Sequence, residues 1–360
     1  VGRSYPPSFY SWIKKSTVRN LFEKIAFETE EDYQSIIKVL QKFDVEVLRP
    51  ELPVENFRNG IFVQPPMCPR DHMVMIGNTF YENISSNFDQ IHYNNIKDPA
   101  WPDCKNWNDF NQLSKLIQNE CMQIYNFGQT QIINNEYDRI FNHIRNQKNT
   151  VMSGKSYVNG AMISRIGQDL YFGTESYDQD LSKLKQQINT EFTTTRNHIV
   201  NTGGHSDATY CPVCPGLIIS LYDVPTYADT FPDWEVIYLP GQSWNAVAEF
   251  LKLKEKNKGR WWIPGFEHNQ DVVDTVERWL GHWTGYVEET VFDVNMLIID
   301  PKNVMVFNYN KQVFDALDRY GITPHVVPFR HRYFWDGGIH CITTDLHRDG
   351  VIQDYFPNRN

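Results

Sequence analysis

The strongest constraint on this chain is a unit that recurs along it. Two short apolar runs flank a tight polar turn, and a helical stretch and a third apolar run often follow. "HMVMIGNTFYE" (72–82) holds the hairpin of one copy. "AMISRIGQDLYFG" (161–173) turns near Gly167. Behind it, "YDQDLSKLKQQINTEF" sets Leu181, Leu184, Ile188 and Phe192 at helical spacing, and "NHIVNT" reads as a closing strand. "YCPVCPGLIISLY" (210–222) with "WEVIYLP" is a copy with little or no helix. "NMLIIDPKNVMVFN" (295–308) turns on Asp300, Pro301 and Asn303. Its helix, "KQVFDALDRY", closes on Gly321, and its strand is "PHVVPF". The first fifty residues supply only a helix, "EEDYQSIIKVLQKF" with Thr29 as N-cap, and a strand, "VEVLRP".

About five ββαβ-like units are therefore expected, an α+β chain. Their spacing is irregular, which excludes a solenoid of constant period. The largest insertion spans 83–150 and holds two expected helices, one with Leu113, Leu116 and Ile117, the other with Tyr137, Ile140, Phe141 and Ile144. No Gly-, Ser- or Pro-rich linker divides the chain, so residues 1–360 are expected to form one domain.

The formal net charge is -10 and no run of Lys and Arg builds a basic face, which argues against nucleic-acid binding and suits a cationic ligand. No apolar run approaches the roughly 20 residues of a membrane span. The opening "VGRSYPPSFYSW" lacks the apolar core of a signal peptide. Six cysteines in 360 residues make no disulfide framework and point to a reducing, cytoplasmic setting. "CPVC" (211–214) has no second CxxC to complete a zinc site, and it falls inside an apolar hairpin, where core packing is the better reading. "FRHRYFWD" mixes bases and aromatics but is too short for a nucleic-acid surface. No glycine-rich phosphate loop or metal-ligand cluster occurs, and no cofactor is expected.

Two stretches offer chemistry. "WDGGIHCITTDLHRDG" (335–350) places Cys341 after two glycines and a histidine and before Thr343; as an isolated residue it reads as a buried thiol. In "TGGHSDATY" (202–210), a strand would put His205 and Asp207 on one face, a pairing suited to acid–base work. Asp71 precedes one hairpin and Asp169 follows the turn of another. Three carboxylates without a basic run favour a cation, and a planar guanidinium fits a two-point grip.

"VGR", "VEVLRP", "PRDHMVMIGN", "RIGQDLYFG", "HSDATY…PGLIIS", "VNMLIIDPKNVMV" and "GGIHC.T.D" follow one another along almost the whole chain. In that order they resemble the amidinotransferase family, within the wider pentein superfamily of guanidine-modifying enzymes. The resemblance implies a five-bladed pseudosymmetric αβ propeller with a central site and an incomplete first strand. It implies Cys341 as nucleophile, His205 as acid–base residue, Asp169 as the carboxylate orienting His205, and Asp71 and Asp207 as the guanidinium grip. Amidino transfer from arginine to glycine, giving ornithine and guanidinoacetate, is the family default. A hydrolase of the same fold is the alternative, and a guanidine-binding protein without catalysis is a third reading. Dimers occur in the family, so a homodimer is a further expectation.

The chain also departs from the glycine-accepting members. Val224 stands where they carry the arginine of a "DRP" triplet, and Asp293 where they carry a serine. Thr202 and Gly204 replace bulkier residues before the histidine, which implies a roomier acceptor site. Thr343 belongs to the same expected substrate pocket.

Overall fold

The computed structural model describes residues 1–52, 56–58, 61–62, 64–82, 151–154, 159–221, 223–239, 262–266, 268–280, 283, 292–335 and 337–359. The two expected helices of 83–150 lie outside them. A long first helix, α1 (Ser16–Gln41), is followed by a two-stranded antiparallel pair, β1 (Phe57–Arg58) and β2 (Ile61–Phe62).

Four three-stranded sheets follow, and each repeats one plan. They are β3 (Met73–Ile76), β4 (Thr79–Glu82), β5 (Val151–Gly154); β6 (Ile163–Ile166), β7 (Asp169–Gly173), β8 (Arg196–Val200); β9 (Tyr210–Cys214), β10 (Leu217–Ser220), β11 (Glu235–Tyr238); and β12 (Leu297–Asp300), β13 (Asn303–Val306), β14 (Thr323–Val326). In each, the hairpin is antiparallel and its second strand is central, with the third strand paired to it in parallel. A two-residue turn can make only the antiparallel step; the parallel step needs a longer crossover. In three hairpins the turn is a glycine with positive φ: Gly77, Gly167 and Gly216. The fourth uses side-chain chemistry, with Asp300 Oδ1 accepting from the Lys302 N–H and from Asn303 Nδ2.

The crossovers match the periodicity. Leu181–Glu191 starts on Asp180, whose carboxylate caps the N–H groups of Ser182 and Lys183, and buries Leu184 and Ile188. Lys311–Arg319 starts on Asn310, buries Val313, Ala316 and Leu317, and ends before Gly321 at φ 68°. In the third sheet the crossover holds only the four-residue helix Tyr227–Thr230.

Two expectations fail. Thr29 is no N-cap: α1 begins thirteen residues earlier, and Thr29 sits buried within it, donating to Ile25 O and accepting from Trp335 Nε1. Residues 45–50 form no ladder. Val1 bonds to Leu48 O, but the Arg49 and Arg3 side chains take Gly2 O and Pro50 O, so side chains replace strand pairing there.

Each apolar cluster lies between neighbouring units. Val74 and Tyr81 pack with Met162, Leu170 and Phe172; Ile166 and Tyr171 pack with Tyr210 and Ile218; Leu217 and Ile219 pack with Val294, Val304 and Leu317. The largest cluster joins α1 to Met305, Phe329, Ile339 and Ile342. A three-stranded sheet buries its faces only by pressing against the next, and this brings the segments that lead into the hairpins close together. The basic residues of "FRHRYFWD" serve the same packing: Arg330 bonds to Asp32 and Glu31, and His331 to Glu28, all on α1. Both cysteines of "CPVC" are free thiols in the β9 strand, and Cys211 is buried. Among the described residues no helix is long and apolar enough to cross a membrane.

Candidate active site

Just before four of the hairpins, and in the segment holding Cys341, the chain makes a short lead-in: Pro69–Asp71, Gly160–Met162, Ser206–Thr209, residues 292–296 and residues 337–343. Each touches the next. A Cβ on Gly160 would collide with Arg70 O, and Ser206 Oγ donates to Met162 O at 3.1 Å. Asn295 Nδ2 donates to Asp207 O at 3.1 Å, and Asn295 Oδ1 accepts from the His340 N–H at 2.8 Å. Arg70 Nε donates to His340 O at 2.7 Å and to Thr343 O at 2.9 Å.

Cys341 lies among these segments, 6% exposed. Its thiol faces Asp207 Oδ2 at 3.5 Å and accepts from Asn295 Nδ2 at 3.1 Å. Burial pushes the thiol well above the ordinary cysteine range, and the negative charges of Asp207 and Asp71 push it the same way. Burial would also raise Asp207, but the hydrogen bond from His340 and the charges of His340, His205 and Arg70 overcome it and hold Asp207 below the usual carboxylate range. The resting site thus pairs a protonated thiol with ionised Asp207. Among the described residues Asp207 Oδ1 is buried without a hydrogen bond.

His205 stands directly before the helix Ser206–Thr209, not on a strand, so period two does not govern it. Two residues from Asp207 across the start of that helix, it is near enough for its charge to act on that carboxylate. Thr202 Oγ1 donates to Gly204 O and accepts from the Thr174 N–H, which shapes the loop before His205. A Cβ built on Gly204 meets nothing within 4 Å. Thr343 Oγ1 donates to Ile339 O at 2.7 Å, closing the turn that carries Cys341.

The structure does not support the role expected of Asp169. It opens β7 beside the turn and pairs with Ile166, three residues from the lead-in end, a distance of about 10 Å along a strand. Its carboxylate accepts from Arg196 Nη2 at 2.7 Å, from His198 Nε2 at 2.7 Å and from Arg359 Nη1 at 3.2 Å. The imidazole it holds is His198, not His205. The lead-in end of that unit presents Met162 and Gly173 to Ser206 instead. Val224 is likewise core: it is buried with Tyr210, Tyr227 and Phe231. Asp293 is half-buried and accepts from Asn308 and Asn310 at 3.5 and 3.3 Å; burial raises its pKa against those amides and the Arg332 charge.

Sequence reasoning missed Asn295, His340 and Arg70. Each works across units, so no local pattern exposes it. The signal was positional: Asn295 in "DVN" and His340 in "GIHC" both fall in a lead-in. Arg70 is 2% exposed, and its charge is answered by Asp345, which also receives Arg165 and Arg348. Among the described residues no cluster could hold a metal ion.

No protein-family model matches the chain. Over 152 residues, 42% of the chain, it is 26% identical to the mitochondrial glycine amidinotransferase of Xenopus tropicalis. Over 153 residues it is 23% identical to the L-arginine:L-lysine amidinotransferase of Pseudomonas savastanoi pv. phaseolicola. These matches cover 28% and 33% of the two relatives, so the chain aligns with about a third of the length of the curated proteins it matches. In fold it is similar to an amidinotransferase of the saxitoxin biosynthetic pathway from Microseira wollei. The TM-score is 0.58 at 17% identity, over 92% of this chain and 87% of the other. The chain is therefore similar in sequence to amidinotransferases over the aligned stretch, and it shares the fold of one over most of its length.

Proposed function

We propose that the protein is an amidinotransferase that moves an amidino group from a guanidine donor to an amine through a covalent amidino-Cys341. The observation that carries this reading is a buried thiol 3.5 Å from an ionised carboxylate, with a second carboxylate, Asp71, acting on the same sulfur. Two anions beside a nucleophile suit a cationic electrophile. A guanidinium seated between Asp71 and Asp207 cancels their repulsion of a thiolate, so the donor itself favours the reactive form of Cys341.

The thiol proton passes to His205, and the sulfur attacks the guanidinium carbon. His205 then returns the proton to the departing amine as the carbon–nitrogen bond breaks. An acceptor amine enters, gives a proton to His205 and attacks the amidino carbon, which releases the Cys341 thiolate. Every step conserves charge and electrons, and none calls on a cofactor. Five lead-ins in mutual contact support the five-bladed arrangement. Arginine is the proposed donor. The open space around Gly204 supports an acceptor larger than glycine.

The test is an intact mass spectrum after brief mixing with arginine and acid quench, beside Cys341→Ala. One added amidino group on the wild type alone is expected, discharged only when an amine is supplied. Discharge by water to a ureido product would make the protein a hydrolase instead. No adduct from arginine, agmatine or methylguanidine would refute the covalent route.

A further inference from the structure

The carboxylate facing the thiol is itself held by an imidazole that the chemistry above leaves without a task. His340 Nδ1 lies 2.8 Å from Asp207 Oδ2. An ionised carboxylate can only accept, so the proton of this bond sits on Nδ1. The backbone of His340 is pinned on both sides, its N–H by Asn295 Oδ1 and its carbonyl by Arg70 Nε. A Cβ on Gly338 would overlap the Asn295 side chain, so the segment cannot shift without breaking that contact.

A carboxylate rotates readily about its last bond unless a partner fixes one oxygen. His340 fixes Oδ2, the oxygen nearest Sγ. The other oxygen, Oδ1, is then left buried without a hydrogen bond among the described residues. A buried acceptor in that condition is costly until a donor arrives, and a guanidinium N–H is such a donor. We propose that His340 is a positioning residue for guanidine recognition: by holding Asp207 Oδ2 it presents Oδ1 to the substrate. This rests on the roles given above to Cys341 and Asp207. His340 acts through Asp207 and takes no part in the proton transfers.

The experiment uses the full chain and three variants. His340→Asn places an amide N–H near the former Nδ1 and keeps the bond. His340→Gln puts its donor a methylene too far, and His340→Ala has none. The readout is the rate of amidino gain at Cys341 against donor concentration, with arginine, agmatine and methylguanidine as donors, and Tm beside it. Ala and Gln are expected to raise the half-saturating donor concentration tenfold or more, with the maximal rate within threefold of wild type. Asn should restore it to within threefold. Wild-type half-saturation in the Ala and Gln variants would overturn the proposal. So would a parallel loss in all three that follows Tm. If the wild type gains no amidino mass from any donor, the transfer reading fails and the His340 role falls with it. A labelled wild type with unchanged variants refutes His340 alone.

Discussion

Replacing Asp207 by Asn should make Cys341 more reactive and the proposed amidino transfer slower. The carboxylate lies 3.5 Å from the sulfur, and the isosteric amide keeps an oxygen to accept from His340. Removing one charge at that distance relieves about 1 kcal/mol of repulsion on the thiolate at the dielectric of water and about 5 kcal/mol at an effective value of 20. Less repulsion favours the thiolate, so at neutral pH its fraction rises by roughly 7-fold to 3 × 10³-fold. A more acidic thiol is also a weaker nucleophile, with a Brønsted slope of about 0.45, so the net alkylation rate rises by roughly 3- to 80-fold. The assay is iodoacetamide labelling at pH 7, with Cys341 followed by peptide mass mapping so that the other cysteines do not interfere. In the same variant kcat/KM for a guanidine donor should fall by roughly 10- to 150-fold, because a charge-assisted grip on the cation is lost. Labelling that is slower than wild type or unchanged would refute the electrostatic argument. Faster labelling with unimpaired turnover would refute the role of Asp207 in holding the donor.

Asp169→Asn should lower stability by about 3 kcal/mol, measured by urea unfolding, because two guanidinium groups lose a buried counter-charge; both Arg196 and Arg359 retain other partners. Cys341 labelling in that variant should stay within twofold of wild type, and a large change would return Asp169 to the site. Asp345 gives a pH prediction. Burial would raise it, but Arg165, Arg348 and Arg70 hold it well below the usual carboxylate range. A depressed folded pKa contributes stability above the unfolded value of about 3.9, and that stability is lost as pH falls through the folded pKa. Wild-type Tm should therefore drop steeply below about pH 4, whereas Asp345→Asn should start lower at pH 7 and fall less; parallel curves would contradict the network.

The hairpins were legible because a strand shows its face with period two and a turn shows its glycine. Gly77, Gly167 and Gly216 mark their turns in the sequence as clearly as in the fold. The helices Leu181–Glu191 and Lys311–Arg319 were equally plain, the first from its apolar spacing and the second from the Gly321 that closes it, while their caps Asp180 and Asn310 came from the structure. The start of α1 was not, because Thr29 carries the residue type of a cap and only its contact with Trp335, 306 residues away, shows it to be interior.

The site divides along the same line. By itself the sequence determined the recurring unit, the anionic balance, and the presence of Cys341, His205, Asp71 and Asp207 in segments that lead into or join hairpins. Only the tertiary structure decided which ends of the hairpins meet. Asp169 and Met162 lie seven residues apart on one hairpin, and nothing in the sequence states that the Met162 end meets Ser206 while the Asp169 end is stapled to Arg196 and Arg359. The same is true of Asn295, His340 and Arg70, whose partners lie 46, 133 and 270 residues away. Local spacing fixes the face and the turn; which charges share a buried space depends on how the units pack, and that is a property of the assembled chain.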